Sequence, residues 1–78
     1  MNIINILNKI KWDKRENPDD YTIFYLDRIS NQLKPLKYTD IIRVEDSFMI
    51  VIKENEETHI PLHRIKRIRK KDKIILER

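Results

Sequence analysis

The chain is short, basic and devoid of cysteine and glycine. Its 78 residues include 17 Lys or Arg and 13 Asp or Glu, for a formal net charge of +4, and this length predicts one domain over residues 1–78. The missing cysteine excludes disulfides and thiolate metal sites, and the missing glycine excludes the Gly-rich phosphate loops of P-loop and dinucleotide-binding proteins. The sequence has no apolar run of membrane-spanning length and no signal peptide, so a cytoplasmic protein without membrane partners is expected.

The N-terminal segment predicts one amphipathic helix. Apolar residues recur there at spacings of three and four, at Ile3, Ile6, Leu7 and Ile10. We expect a helix over about residues 3–11, with Asn2 as its cap and Trp12 closing it. The polar stretch that follows is a loop in which Pro18 prevents helical continuation.

The rest of the chain has the pattern of short β-strands separated by polar turns. Aromatic and β-branched residues over 21–27 predict a central strand that is apolar on both faces. Further strands are expected at 41–45, 48–53, 58–62 and 74–78. Residues 33–38 are an additional short candidate, which Pro35 restricts to a sheet edge.

The segment after Pro61 fits two structures. Pro61 suits a first helical position, which favours a helical turn, and from Ile65 the chain can equally run as a strand. We favour a short turn followed by a hairpin, with residues 70–73 as its loop. The fold class expected is α+β: an N-terminal helix followed by about five antiparallel strands that form a curled sheet or a partly open barrel.

Without glycine, backbone positions that need positive φ must use other residues. Asn and Asp tolerate that conformation best among the remaining types. The candidates in predicted turns are Asn31, Asn55 and Asp72.

The positive charge is concentrated at the C-terminus. Residues 61–78 carry eight Lys or Arg and two acids, whereas the preceding sixty residues carry nine basic and eleven acidic groups. A basic segment of this density indicates a polyanionic partner, most commonly RNA or DNA, although a solvated charged face is the alternative. Isoleucines within it, at Ile65, Ile68, Ile74 and Ile75, indicate that the segment is folded.

The histidines do not predict a metal or catalytic site. His59 and His63 are four residues apart, but Pro61 between them prevents a continuous helix, and no third ligand is near in sequence. The sequence offers no recognisable nucleophile and base pair. We therefore expect no metal, no cofactor and no catalytic residue.

Three segments resemble a known family. Trp12, the YLDR run at residues 25–28 and the IPLHRI run at residues 60–65 resemble the small archaeal uncharacterised proteins of the RNA cyclic group end recognition domain type. The resemblance covers nearly the whole chain and implies binding of RNA termini that carry a cyclic phosphate. The chain departs from the family pattern at Lys71-Asp72, where a turn glycine is common, and at Leu76, where an aromatic residue is common.

This reading assigns roles to a set of side chains. Arg28 and Arg64 are expected to donate forked hydrogen bonds to the end phosphate, and His63 to bond to or stack beside the ribose. Trp12 and Tyr25 are candidates for stacking on a terminal base. The residues expected to hold upstream phosphates are Lys66, Arg67, Arg69, Lys70 and Lys71.

Each assignment has a structural alternative. Trp12 and His63 can be packing residues, and Arg28 can pair with an acid across the sheet. The aromatic residues expected in the core are Tyr21, Phe24 and Phe48.

Two other functions remain open at this point. One is an RNA-end processing enzyme that uses His63 as a general acid or base. The other is a structural protein whose basic tail docks an acidic partner. RNA-processing enzymes are the protein partners expected beside RNA itself.

Overall fold

The computed structural model describes residues 3–78, which form one helix followed by seven strands in two antiparallel sheets. Helix α1 spans Ile3–Trp12. The strands are β1 Tyr21–Leu26, β2 Leu33–Lys37, β3 Ile41–Val44, β4 Phe48–Lys53, β5 Glu56–Pro61, β6 Ile65–Lys70 and β7 Lys73–Glu77. Within the described part of the chain, no helix is long and apolar enough to cross a membrane.

The helix forms as its spacing predicts. Its apolar stripe is buried, and the Tyr38 hydroxyl donates a hydrogen bond of 3.0 Å to the Leu7 carbonyl, which ties the helix to the turn after β2. The predicted cap Asn2 lies outside the described residues. Trp12 is the last helical residue and is 73% exposed, so the core alternative for this side chain is wrong.

The core lies between the helix and the two sheets. Six side chains from α1, β1, β4 and β6 are at most 1% exposed: Leu7, Ile23, Met49, Val51, Ile65 and Ile68. Each side chain buried in this way stabilises the fold by about 1.5–3 kcal/mol relative to exposure. No disulfide contributes to the described fold, so this apolar burial is its main source of stability.

The helix-first α+β class is confirmed, but the strand count and the single curled sheet are not. One sheet has the order β2-β1-β6-β7 and the other has the order β3-β4-β5. The chain leaves one sheet for the other through single turns of 3₁₀ helix, Tyr38–Asp40 and Leu62–Arg64. These two turns divide what the strand pattern alone suggests is one sheet. The favoured turn and hairpin after Pro61 are confirmed.

Strand positions agree with the local signals. β1 lies inside its sheet and β2 lies at the edge, where Pro35 needs no N–H for a further strand. The Leu62 N–H donates to the Ser47 carbonyl at 3.0 Å and joins the turn after β5 to the loop before β4.

Four described residues have positive φ. Asn31 (57°) and Asn55 (65°) were predicted, whereas Glu54 and Lys71, both at 53°, were not. Asp72 is not among them, because the hairpin between β6 and β7 places its left-handed residue first in the two-residue loop. Lys71 is one of the two residues, with Asp72, in the turn where the resemblance implies that glycine is common.

Candidate nucleic-acid interface

The two arginines predicted to bind the end phosphate line a single groove. Arg28 lies in the loop after β1, and Arg64 ends the turn Leu62–Arg64 that leads into β6. They line a groove of about 480 Å³ together with Lys53, Thr58 and His59. We call this the arginine groove. His63 is exposed and does not line it.

The loop that carries Arg28 is fixed by Asp27. The Asp27 carboxylate accepts hydrogen bonds from the Ser30 hydroxyl at 2.8 Å and the Ser30 N–H at 3.3 Å, and it pairs with Lys34 at 3.1 Å. These contacts, the Ser30 hydroxyl foremost, hold the pKa of Asp27 well below its usual range. Asp27 therefore pairs with Lys34 and not with Arg28, which makes no ion pair to any described residue.

A tyrosine hydroxyl positions a lysine in the groove. Lys53 donates a hydrogen bond of 2.7 Å to the Tyr25 hydroxyl and lies 5.3 Å from the centre of its ring. This bond raises the pKa of Lys53. Tyr25 is 5% exposed and belongs to the core, and it also lines the arginine groove. The base-stacking role assigned to its ring stays a prediction. The sequence gives no local signal for this pair, since the two residues come from different sheets.

His59 takes the place in the groove that the motif pattern suggested for His63. Its ring stacks on Phe48, with centroids 5.1 Å apart and planes 15° from parallel. Phe48 is on the neighbouring strand β4 and is half-buried. The register of the β4–β5 hairpin creates this stack, and that register was the missing information.

The outer face of the four-stranded sheet carries a second cluster of candidate residues. The guanidinium carbons of Arg67 and Arg69 lie 5.5 Å and 5.1 Å from the centre of the Phe24 ring. Phe24 alternates along β1 with the buried Ile23 and Tyr25 and is itself only partly buried, so its predicted core position is wrong. Its cross-strand neighbour is Arg67, which explains why its side of the sheet is charged.

Lys70 and Lys71 lie against acids of the loop after the helix. Lys70 pairs with Glu16 at 2.9 Å, and Lys71 lies 4.0 Å from Asp20. Glu16 also accepts a hydrogen bond of 3.0 Å from the Tyr21 hydroxyl. Hydrogen bonding to Lys70 lowers the pKa of Glu16 and in return raises the pKa of Lys70. These two lysines thus have acidic partners within the fold.

The remaining candidates lie elsewhere. Lys66 is half-buried on β6, and its carbonyl accepts a hydrogen bond of 2.9 Å from the Arg78 N–H. A second groove of about 1040 Å³ lies beside the helix, and Ile6 and Tyr21 are among its lining residues. Trp12 lines neither this groove nor the arginine groove, and the Lys11 ammonium lies 5.0 Å from its ring centre. Among the described residues, no group of three or more His, Asp or Glu is arranged to hold a metal ion.

Comparison with known proteins agrees with the resemblance seen in the sequence. The model of the MJ1316 RNA cyclic group end recognition domain matches residues 1–78. A UPF0248 protein of Saccharolobus islandicus is 38% identical over 72 residues, which are 91% of this chain and 89% of that protein. A UPF0248 protein of Saccharolobus solfataricus is 36% identical over 72 residues, covering 91% and 86% of the two chains.

A third organism contributes a further relative. A UPF0248 protein of Methanococcus maripaludis is 41% identical over 61 residues, which are 77% of this chain and 74% of that protein. No solved structure matches the chain significantly. The match along the full chain and these identities show that the protein belongs to the family of the MJ1316 RNA cyclic group end recognition domain.

Proposed function

We propose that this protein is a non-catalytic RNA-binding module that recognises RNA 3′ ends carrying a cyclic phosphate in the arginine groove. The description of its family supports RNA with a cyclic end as the ligand. The observation that carries the proposal is the convergence of Arg28 and Arg64, from distant parts of the chain, on one groove.

The donors of the groove suit a small anion. A 2′,3′-cyclic phosphate has one negative charge and several acceptor oxygens on a compact ring. Two guanidinium groups offer forked donors to such a group, and the Lys53 ammonium adds a third positive charge. Asp27 is the one acid among the described residues that line the groove, and Lys34 and Ser30 already engage its carboxylate.

The imidazole contact in this proposal belongs to His59. Its ring is held by Phe48 and lines the groove, so it is placed to meet a ribose or a phosphate oxygen. Hydrolysis of a cyclic phosphate is accelerated by a positioned general acid and general base, which are most often histidines. A single imidazole at the groove supports recognition in preference to turnover.

The test uses three RNA oligonucleotides of one sequence that end in a hydroxyl, a linear phosphate or a cyclic phosphate. A charged bidentate contact is worth about 1.5–3 kcal/mol, so the cyclic end should bind roughly ten- to a hundredfold more tightly than the hydroxyl end. Arg64→Ala should remove this preference while the protein still binds RNA. Direct titration by fluorescence anisotropy measures all three affinities.

Arg43→Ala is the matched control. Arg43 is on β3 of the three-stranded sheet, and its side chain is 62% exposed. It pairs with Glu45 and does not line the groove. This variant should keep the full preference for the cyclic end. Equal affinity of the wild-type protein for the three ends would refute end recognition. Conversion of the cyclic phosphate to a linear product by purified protein would refute the non-catalytic assignment.

A further inference from the structure

An aromatic ring lies between two arginines on the solvent side of the four-stranded sheet. Phe24 faces outward from β1, and Arg67 and Arg69 of β6 place their guanidinium carbons 5.5 Å and 5.1 Å from its ring centre. We call these three side chains the Phe24 layer. Thr22 shares this face, and the exposed Lys37 of β2 is directly opposite Thr22.

The two arginines are held against the sheet. The Nε of Arg69 is shielded from solvent and has no hydrogen-bond acceptor among the described residues. Arg67 is oriented by Glu77, to which its Nε donates a hydrogen bond of 2.6 Å. Both guanidinium groups lie within the range of about 6 Å for cation–π attraction to the Phe24 ring, and Arg69 adds a positive charge that has no acid partner among the described residues.

The layer is continuous with the arginine groove. Leu26 follows Phe24 on the same side of β1 and lines the groove, as does Arg28 two residues later. A strand rises about 3.3 Å per residue, so Phe24 and Leu26 are about 7 Å apart along β1, and Arg28 lies in the loop just beyond the end of the strand.

We propose that the Phe24 layer is a base-stacking platform for single-stranded RNA, and that it binds the nucleotides upstream of an end held in the arginine groove. The position relative to the end rests on the proposed function; the stacking surface does not. Aromatic rings and arginine guanidinium groups both stack on nucleobases, and the positive charge of the layer complements the phosphates. Because every base has a π-face that can stack, the platform should favour single-stranded over double-stranded RNA without preferring a sequence.

The test replaces the ring but keeps an apolar side chain. Removing a stacking aromatic weakens single-strand binding about five- to a hundredfold. Phe24→Leu should therefore lose that much affinity for all three of the matched oligonucleotides and leave their relative affinities unchanged. Thermal unfolding of the variant checks that it is folded. Trp12→Leu is the comparison, since Trp12 is an exposed aromatic residue that is on the helix and outside the Phe24 layer.

A second measurement locates the stacked base. Oligonucleotides with one abasic site moved stepwise from the 3′ end should show a position upstream of the terminal nucleotide at which wild type and Phe24→Leu bind equally. The same strand in a duplex should bind the wild type and Phe24→Leu alike.

The results separate the two proposals. A preference for the cyclic end together with unchanged binding by Phe24→Leu overturns the platform and retains end recognition. Equal affinity for the three ends together with weakened binding by Phe24→Leu overturns end recognition and retains the platform. Loss of affinity in Trp12→Leu but not in Phe24→Leu moves the stacking surface to the helix, and failure to bind single-stranded RNA overturns both.

Discussion

The dependence of RNA affinity on salt tests which cations contact phosphates. Five cations on the arginine groove and the outer sheet face make no ion pair with a described acid: Arg28, Lys37, Lys53, Arg64 and Arg69. Each phosphate contact on a single strand contributes about 0.7 to the slope of log affinity against log salt. Five contacts predict a slope of about −3.5, which is a roughly hundredfold loss of affinity between 50 and 200 mM salt.

Two sets of variants distinguish the contributing charges. Arg69→Gln should reduce the magnitude of the slope by about 0.7, because it removes one unpaired cation from the path of the RNA. Lys70→Gln and Lys71→Gln, made together, should leave it nearly unchanged, because Glu16 and Asp20 already neutralise these charges. The sequence alone assigned Lys70 and Lys71 to phosphate contacts, which predicts a smaller slope in this double variant. The ion pairs in the structure predict an unchanged slope.

The assay is equilibrium titration of a labelled single-stranded RNA at four or more salt concentrations. A slope near zero in the wild-type protein would refute the electrostatic reading of both surfaces. A loss of one to two slope units in the Lys70 and Lys71 variant would refute the argument from ion pairing. It would place RNA on the β6–β7 hairpin side of the domain.

Two further predictions concern stability. The pKa of Glu16 is held below its ordinary value of 4.5 by hydrogen bonds from Lys70 and Tyr21, so its contribution is complete above that pH and lost as the pH falls through the lowered pKa. Between pH 7 and pH 2, the free energy of unfolding measured with denaturant should therefore fall less for Glu16→Gln than for wild type. The control is Asp19→Asn, whose carboxylate has no ion pair within residues 3–78 and which should follow wild type. Lys71→Gly should stabilise the fold by about 0.5–1 kcal/mol. A left-handed non-glycine residue costs about 1–2 kcal/mol, and the greater conformational entropy of glycine in the unfolded chain offsets part of the gain from removing that cost. Asp72→Gly should destabilise it in the same assay, and a stabilising Asp72→Gly would contradict this account.

Local sequence signals located the helix and several of the strands and turns, but not the full number of strands. The spacing of Ile3 and Leu7 predicts the helix, Pro35 predicts an edge strand, and Asn31 and Asn55 predict the left-handed turns. Each of these depends on a few neighbouring residues. The division into two sheets arises because the strands before and after the turns at 38–40 and 62–64 do not pair with each other. A local pattern does not contain that information.

The same limit explains the errors at the candidate site. The run YTIFYL of β1 is apolar at nearly every position, so alternation does not reveal which side faces the core. The choice is made by the partner strand, where Ile68 is opposite Ile23 and Arg67 is opposite Phe24. Tyr25 therefore lies inside and Phe24 outside, the reverse of the sequence-based expectation.

The basic residues of the C-terminal segment divide into some that form ion pairs within the fold and others that have no acid partner among the described residues. Its excess of basic residues predicted one footprint for a polyanion, but the strand pairing sends the side chains in different directions. Lys70 and Lys71 join the β6–β7 hairpin to the acidic loop, where Glu16 and Asp20 supply part of the acid excess of the preceding sixty residues. Arg64 and Arg69 have no such acid partner within residues 3–78 and face the groove and the outer sheet. Under the proposed function, fewer basic residues should contact RNA than the count in this segment suggests, and the residues without an acid partner are the ones to mutate first.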